Sequence, residues 1–384
     1  MMKILAVFFA LLTAAANIGV TYPDGYEPFT GAKAAREAFL NKKTVTASAY
    51  VGEADGEPWS PDDEYLLSDT AVLEKDPEKD FVILNFSDMH FSDYDYRAWT
   101  AFPEEATMRR LVNRVKPDLI TLTGDLVCGD DSTYYSIHRL TDLMESFGVP
   151  WAPVFGNHDD EANCDRNYLA DVMTAAPHCL MKKGDPEMGV GNYIVNIAEP
   201  TADGGQKIVE SLIFMDSHKT QPNEKQKAWF TWAADGINAL TDNGAEISLF
   251  MHIPLPEYRY AYDLAWNAEE KKWNEGFDAY GALHETICCE RDADGQPVQR
   301  GFFDAVKAAG TAKFVFCGHD HMNNFSILYE GVRLTYCMKV GKASGFQMGY
   351  DGGTEIYVGA GGVSRIVQDT VSFGPVVKLA DIRV

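Results

Sequence analysis

Short runs of apolar residues recur from residue 81 onward, and each run ends at a cluster of polar residues. The runs are rich in Val, Ile and Phe, which is typical of β-strands buried on both faces of a sheet. They occupy residues 81–86, 118–123, 151–155, 247–251 and 313–317. The pattern therefore predicts five core strands.

The segments between these runs contain helical patterns. Apolar side chains recur at helical spacing in residues 104–115, after Pro103 and before Pro117. Residues 223–232 and 302–309 also read as helices. Strands that alternate with helices predict an α/β fold in which helices cover the sheets.

The remaining segments have weaker patterns. Residues 17–78 are rich in Gly, Pro, Ala, Asp and Glu and are predicted to be an N-terminal extension, either a loose leader or an added strand. Residues 79–384 would form the main domain, with an irregular insertion at about 257–300. Strand-like runs in residues 325–384 are expected to complete a sheet.

The first 16 residues are typical of a secretory signal peptide. Lys3 precedes an apolar run at residues 4–16, and Ala14-Ala15-Ala16 matches the small residues of a cleavage site. The run is shorter than the ~20 residues of a membrane span. We therefore expect a secreted or extracytoplasmic protein, cleaved near Ala16, with an uncleaved N-terminal membrane anchor as the alternative. No stable span is expected elsewhere.

The composition and net charge of the chain restrict the kinds of molecule that it is expected to bind. The 384 residues carry a formal charge of −24, which repels nucleic acids and anionic membranes. A phosphorylated substrate would then need local positive charge, which bound metal cations supply. The seven cysteines are odd in number, so at least one is unpaired, and their pairing is left open, as is the oligomeric state.

The polar clusters at the ends of the five runs contain the candidate chemistry. Ligands of α/β sheets usually bind at the carboxyl ends of the strands. The side chains found there are Asp88, His90, Asp125, Asn157, His252, His319 and His321. On an extended backbone, residues two apart point to the same side, so Asp88 and His90 would reach one cation. Mixed N and O ligands suit Fe, Mn or Zn.

The motifs SDMH, GDLV, GNHD, MHIP and GHDH occur in this order and resemble those of the calcineurin-like metallophosphoesterases. The resemblance covers roughly residues 80–365. The stretches HIPLPEY and FFDAVKAAGTAKFVFCGHDHMNNF are similar to a branch related to purple acid phosphatases. The resemblance implies a four-layer sandwich, with two mixed β-sheets face to face, helices outside them and the site at one edge.

The resemblance also implies two metal ions. The first would be held by Asp88, His90, Asp125 and His321, and the second by Asp125, Asn157, His252 and His319. Asp125 would bridge the ions. His158 would face the substrate phosphate without binding metal, and Asp159 would orient its neighbours.

Two positions depart from true purple acid phosphatases. The tyrosine that ligates iron there is replaced by Cys128, and this chain has His90 where those enzymes lack a histidine. The purple colour is therefore expected to be absent, and Cys128 is not expected to bind metal.

The function implied is hydrolysis of phosphate esters by water that the two metals activate. Asp125, Asn157 and His158 would be the catalytic residues. A small phosphomonoester is the expected substrate. The alternatives are a phosphodiesterase acting on nucleotides or phospholipid head groups, and a catalytically silent surface protein that binds phosphate.

Further candidates follow the His252 motif. Glu257, Tyr258, Tyr260, Tyr262 and Trp266 are interpreted as ordinary packing more readily than as a pocket wall. A role for His284 and Glu285 in capping the site is the less favoured interpretation.

Overall fold

The structure of the protein, a computed structural model, describes residues 21–29, 50–92, 103–128, 133–161, 164–341, 349–371 and 376–384. The predicted signal peptide at residues 1–16 lies outside these ranges. The described helices are α1 Pro103–Val115, α2 Thr133–Glu145, α3 Arg166–Thr174, α4 Glu224–Thr241, α5 Pro256–Ala265 and α6 Phe302–Ala308. The strands are β1 Ala71–Glu74, β2 Phe81–Phe86, β3 Leu119–Thr123, β4 Trp151–Val154, β5 Tyr193–Pro200, β6 Gln206–Phe214, β7 Glu246–Phe250, β8 Trp266–Asn267, β9 Lys272–Trp273, β10 Ala279–Tyr280, β11 Ala312–Cys317, β12 Ser326–Tyr329, β13 Val332–Tyr336, β14 Gly352–Gly359, β15 Gly362–Thr370 and β16 Val377–Arg383.

The five predicted core strands are β2, β3, β4, β7 and β11, and each lies within one residue of its predicted bounds. The three predicted helices are α1, α4 and α6. Helix α4 continues to Thr241, beyond the predicted end at residue 232. It begins with a capping box, in which Asn223 and Gln226 each accept a hydrogen bond from the other's backbone N–H. The pattern did not reveal α2, α3 or α5, and α5 occupies the start of the segment that was predicted to be an irregular insertion.

A six-stranded mixed sheet has the order β16-β15-β14-β2-β3-β4. Strands β2, β3 and β4 are parallel, so their carboxyl ends meet at one edge of the sheet. Strands β14, β15 and β16 pair antiparallel and extend the sheet on the other side of β2.

An eight-stranded mixed sheet has the order β1-β5-β6-β7-β11-β13-β12-β10. Strands β6, β7, β11 and β13 are parallel. Strand β1 belongs to the N-terminal extension and pairs with β5. Strand β1 matches the added strand, one of the two alternatives predicted for the extension. Residues 325–384 were expected to complete one sheet, but they contribute to both. Strands β12 and β13 join the eight-stranded sheet, and strands β14 to β16 join the six-stranded sheet.

The two sheets share a core. Phe214, Phe250 and Phe316 come from adjacent strands of the eight-stranded sheet and stack with ring centroids 5.1 and 4.9 Å apart. They belong to one hydrophobic cluster with Ile83 and Leu122 of the six-stranded sheet. Helices α1 to α3 pack against the six-stranded sheet, and helices α4 to α6 cover the outer face of the eight-stranded sheet. The predicted four-layer sandwich is confirmed.

None of the helices in the described part of the chain is both long enough and apolar enough to cross a bilayer.

Candidate metal centre

The loops after the core strands run side by side and bring the predicted ligands together. The sheet hydrogen bonding continues past the strand ends, where the Asp88 N–H donates to the Gly124 carbonyl at 3.1 Å and the His90 N–H to the Asp125 carbonyl at 2.9 Å. The His252 ring from the other sheet lies with Nδ1 2.9 Å from the Thr123 carbonyl oxygen. The carboxyl ends of the two sheets therefore meet at a single place.

The first cluster comprises Asp88, His90, Asp125 and His321, each of which offers one ligand atom within 4.8 Å of the others. His90 Nε2 lies 3.1 Å from His321 Nε2 and 3.5 Å from Asp125 Oδ2. His321 Nε2 lies 3.6 Å from Asp88 Oδ1. Nitrogen and oxygen atoms of four side chains thus surround one point.

The second cluster contains Asp125, His252 and His319, again with ligand atoms within 4.8 Å. His319 Nδ1 lies 3.3 Å from His252 Nε2. Asn157 Oδ1 lies 3.0 Å from the same His252 nitrogen, which places the amide oxygen beside this cluster. All seven predicted ligands are therefore in or beside one of two adjacent clusters.

Asp125 is common to both clusters. Its Oδ1 accepts a hydrogen bond from the His158 N–H at 2.9 Å. Its Oδ2 lies 3.5 Å from His90 Nε2 and 3.3 Å from His252 Nε2. This oxygen is buried and has no hydrogen-bond partner within the described ranges. In this structure the His252 ring, whose pKa Asp125 raises, supplies a cation beside this oxygen, with Nε2 3.3 Å away. A buried carboxylate oxygen flanked by two imidazole nitrogens also fits a metal ion on each side of Asp125.

The pKa values of the clustered histidines bear on their ability to bind a metal ion. Burial lowers the pKa of His90 to about 3 and that of His319 to about 4, so both rings are neutral and able to bind a cation. Burial opposes the charged form of His252 as well, but the nearby Asp125 carboxylate raises its pKa to about 9. A metal ion bound there would displace that proton, since only neutral imidazole ligates.

The backbone at these positions is not extended. Asp88, His90, Asp125 and His319 have φ angles of 53°, 49°, 50° and 74°, in the left-handed region that non-glycine residues rarely adopt. The argument that Asp88 and His90 share a side because of an extended backbone is therefore wrong. Left-handed turns aim the side chains instead, and such strained conformations concentrate at functional sites.

Glycines make room for the ligands. A Cβ atom at Gly124 would overlap the His252 ring, and one at Gly156 would overlap the Asp125 carboxylate. Glycine at position 124 therefore permits the close approach of the His252 ring.

The Asn157-His158-Asp159 segment supports the centre from β4. The His158 side chain is 39% exposed, and its Nδ1 lies 2.6 Å from Glu161 Oε2. Asp159 is buried and accepts from the N–H groups of Val127 at 2.9 Å and Gly156 at 2.6 Å, which ties two ligand loops together. Burial, with the nearby Asp125 carboxylate, raises the pKa of Asp159 to about 7.

Three residues beside the ligands were not predicted. The buried Lys339 ammonium donates to the Asp88 carbonyl, and the Ser87 hydroxyl donates to Asp88 Oδ2 at 2.5 Å. Glu161 follows His158 by only three residues, so the sequence could have pointed to this contact. Lys339 gave none, because it approaches Asp88 from a loop 251 residues later.

The weaker candidates that follow the His252 motif make packing contacts. Tyr258 is buried and donates to the Val315 carbonyl at 2.7 Å, and Tyr262 stacks on Trp266 with centroids 5.5 Å apart. Cys128 Sγ lies 3.7 Å from the His90 carbonyl oxygen, and neither cluster of described residues includes it. The cysteines of the described ranges form no disulfide bonds.

Known proteins resemble this chain. The sequence profile described as calcineurin-like phosphoesterase matches residues 81–323. The sequence is 27% identical over 285 residues to phosphatase DCR2 of Saccharomyces cerevisiae, covering 66% of this chain and 46% of the yeast protein. It is 28% identical over 294 residues to probable inactive purple acid phosphatase 29 of Arabidopsis thaliana, covering 67% and 71%.

A solved structure of purple acid phosphatase PPD1 from yellow lupin (Lupinus luteus) seeds aligns with a TM-score of 0.43 at 11% identity, over 79% of this chain and 54% of the lupin chain. This chain spans less than half of the yeast phosphatase. The family uses a dinuclear metal centre, and the Asp and His clusters described above are capable of binding metal. Because the profile matches more than half of the residues, the chain belongs to the calcineurin-like phosphoesterase family, and its relatives are purple-acid-phosphatase-like.

Proposed function

We propose that this protein hydrolyses phosphate monoesters with two metal ions held in the adjacent clusters. The observation that carries the proposal is the position of Asp125, whose buried Oδ2 lies between His90 and His252 without a hydrogen-bond partner among the described residues. That arrangement suits a carboxylate shared by two cations.

The two ions would be bound by different ligand sets. The first set is Asp88, His90, Asp125 and His321, and the second is Asp125, Asn157, His252 and His319. Imidazole and carboxylate ligands together favour Fe, Mn or Zn over Ca or Mg. When bound, two such metals supply Lewis-acid stabilisation of phosphoryl oxygens and lower the pKa of water.

His158 would act on the substrate and not on the metals. Its backbone N–H holds Asp125 Oδ1, while its partly exposed ring reaches the solvent side of the centre. Glu161 Oε2 lies 2.6 Å from Nδ1 and orients the ring, which leaves Nε2 for a phosphate oxygen or the leaving group. Asn157 would supply a neutral oxygen to the second ion.

The yeast and the Arabidopsis relatives are both named as phosphatases, which supports the proposal. A relative from Mycobacterium tuberculosis is named a cAMP/cGMP phosphodiesterase, so diester hydrolysis is the rival to test. The word inactive in the Arabidopsis name makes a silent phosphate-binding protein the alternative to test. The presence of all seven ligands around two clusters supports hydrolysis.

The test is turnover of the purified full chain loaded with Mn²⁺ on an aryl phosphate monoester and the matched diester, with a metal-stripped control. We expect metal-dependent hydrolysis that favours the monoester. Preference for the diester would make the protein a phosphodiesterase. Failure to hydrolyse either ester, with bound metal confirmed by elemental analysis and phosphate binding by calorimetry, would favour the silent binding protein.

We also propose that the protein is exported, on the basis of residues 1–16. Cysteines that form no disulfide bonds are unusual in an oxidising compartment, so direct evidence of export matters. N-terminal sequencing of the mature protein is expected to begin at Asn17, and a chain beginning at Met1 outside the membrane fraction would contradict export.

A further inference from the structure

A loop of the insertion docks onto one of the ligand loops. Residues 282–288 lie against residues 318–324, which include two of the cluster histidines. The Asn323 carboxamide oxygen accepts hydrogen bonds from the N–H groups of His284 at 2.9 Å and Glu285 at 3.0 Å. His284 and Glu285 of the insertion are thereby held next to the loop that carries His319 and His321.

Asp320 anchors the end of this loop. Its two carboxylate oxygens accept from the Cys288 N–H, each at 3.2 Å, and Tyr336 Oη donates to Oδ2 at 2.5 Å. Asp320 is only 4% exposed, while Cys288 is exposed. The carboxylate is therefore fixed below a thiol that solvent reaches.

These two residues form a third cluster with His319. The Cys288 sulfur, a His319 ring nitrogen and an Asp320 oxygen lie within 4.8 Å of one another. Thiolate, imidazole and carboxylate together are typical ligands of Zn²⁺, and the thiolate makes them poor ligands for Mn²⁺ or Mg²⁺. Neither Cys288 nor Asp320 belongs to the two clusters assigned above to catalysis.

We propose that Cys288, His319 and Asp320 form an inhibitory site for Zn²⁺ or another thiophilic divalent cation. Binding breaks the Cys288 S–H bond, releases the proton to solvent and forms a metal–sulfur bond. The site goes beyond the proposed function, and only its inhibitory effect rests on that function.

The inhibition follows from sharing His319. Its Nδ1 lies 3.3 Å from His252 Nε2, within the second cluster. A neutral imidazole that binds a cation through one nitrogen carries its proton on the other, so it ligates one ion at a time. Zinc at Cys288 and Asp320 therefore takes His319 from the second cluster, which is left with fewer ligands.

Cobalt spectroscopy tests the site directly. The full chain is first loaded with Mn²⁺ and then titrated with Co²⁺, which shows a near-ultraviolet charge-transfer band only when a thiolate binds it. We expect the band in the wild type and its loss in Cys288→Ser. In the same variant, the Zn²⁺ concentration that gives half-maximal inhibition should rise by roughly tenfold or more, the usual effect of weakening a metal site.

Cys289→Ser is the matched control, because the neighbouring thiol lies outside the cluster. It should keep both the cobalt band and the zinc inhibition. A wild type without the band, or a band that persists in Cys288→Ser, would overturn the proposal. A band that depends on Cys288 in a protein without any esterase activity would support the third site while removing the proposed function.

Discussion

Asp125 is the residue on which both ligand clusters depend. One of its oxygens is held by the His158 N–H, and the other lies between His90 and His252. No other described residue belongs to both clusters. Its replacement therefore affects the first and the second cluster at once, and no single histidine belongs to both of these.

We expect Asp125→Asn to lose metal from both clusters and to lower turnover by roughly two orders of magnitude or more, since loss of a supporting partner alone costs 10- to 100-fold in metal affinity or activity. Elemental analysis of the purified variant and its turnover on the aryl monoester measure both. Asp235→Asn, at an exposed position on α4, is the control. Full metal content in Asp125→Asn would remove the bridging assignment.

His158 separates substrate chemistry from metal binding. We expect His158→Ala to keep its metal and to slow turnover by about 10²- to 10⁴-fold, the range of a general acid or base. Glu161→Gln should cause a smaller loss, because Glu161 contacts the ring and not the ligands. Loss of metal in His158→Ala would mean that His158 is itself a ligand.

At the scale of elements, the strand beside β7 buries a carboxyl group. Glu210 lies in β6, is fully buried and accepts from the Ser248 hydroxyl of β7 at 2.7 Å. Burial raises the pKa of Glu210 to about 8, from an ordinary value of 4.5. The folded state thus holds a proton there that the unfolded chain releases above pH 4.5.

Because the folded pKa is the higher one, stability is lost as the pH rises from about 4.5 through about 8. We expect Glu210→Gln to melt close to the wild type below pH 4.5 and several degrees higher near pH 8. Thermal unfolding of both proteins across this range measures the difference. Glu78→Gln, at an exposed position, should not change with pH in this way. A constant difference between Glu210→Gln and the wild type would contradict the assignment.

At the scale of the whole molecule, the metal centre joins the two sheets. The first cluster draws on β2 and β3 of one sheet and on the loop after β11 of the other. The second draws on β3, β7 and β11. Cations bound there would stabilise the contact between the sheets and offset the repulsion of Asp88 and Asp125, within a chain of charge −24.

Metal removal should therefore lower the melting temperature. A ligand present at 100 times its dissociation constant stabilises the folded state by about 2.7 kcal/mol, which corresponds to several degrees. Calorimetry with chelator and with Mn²⁺ or Zn²⁺ measures the shift. Asp125→Asn should respond much less than the wild type. Equal melting of the wild type under both conditions would show that the clusters bind no metal.

The five core strands were determined by the sequence alone, and so was the position of the candidate ligands after those strands, because both depend on local order. A buried strand needs a short apolar run, and the polar residues that follow it must lie at its carboxyl end. The family resemblance added the pairing of the sheets and the two sets of ligands. These predictions span β2 to β11, and the structure brings all seven candidate ligands into or beside the two clusters.

Only the tertiary structure decided how those ligands are aimed. The left-handed backbone at Asp88 and His90 depends on loops that hydrogen-bond to residues of neighbouring strands. The approach of Lys339 to Asp88 and of Cys288 to Asp320 joins residues 251 and 32 positions apart. Such contacts form when the sheets pack, and no periodicity along the chain encodes them.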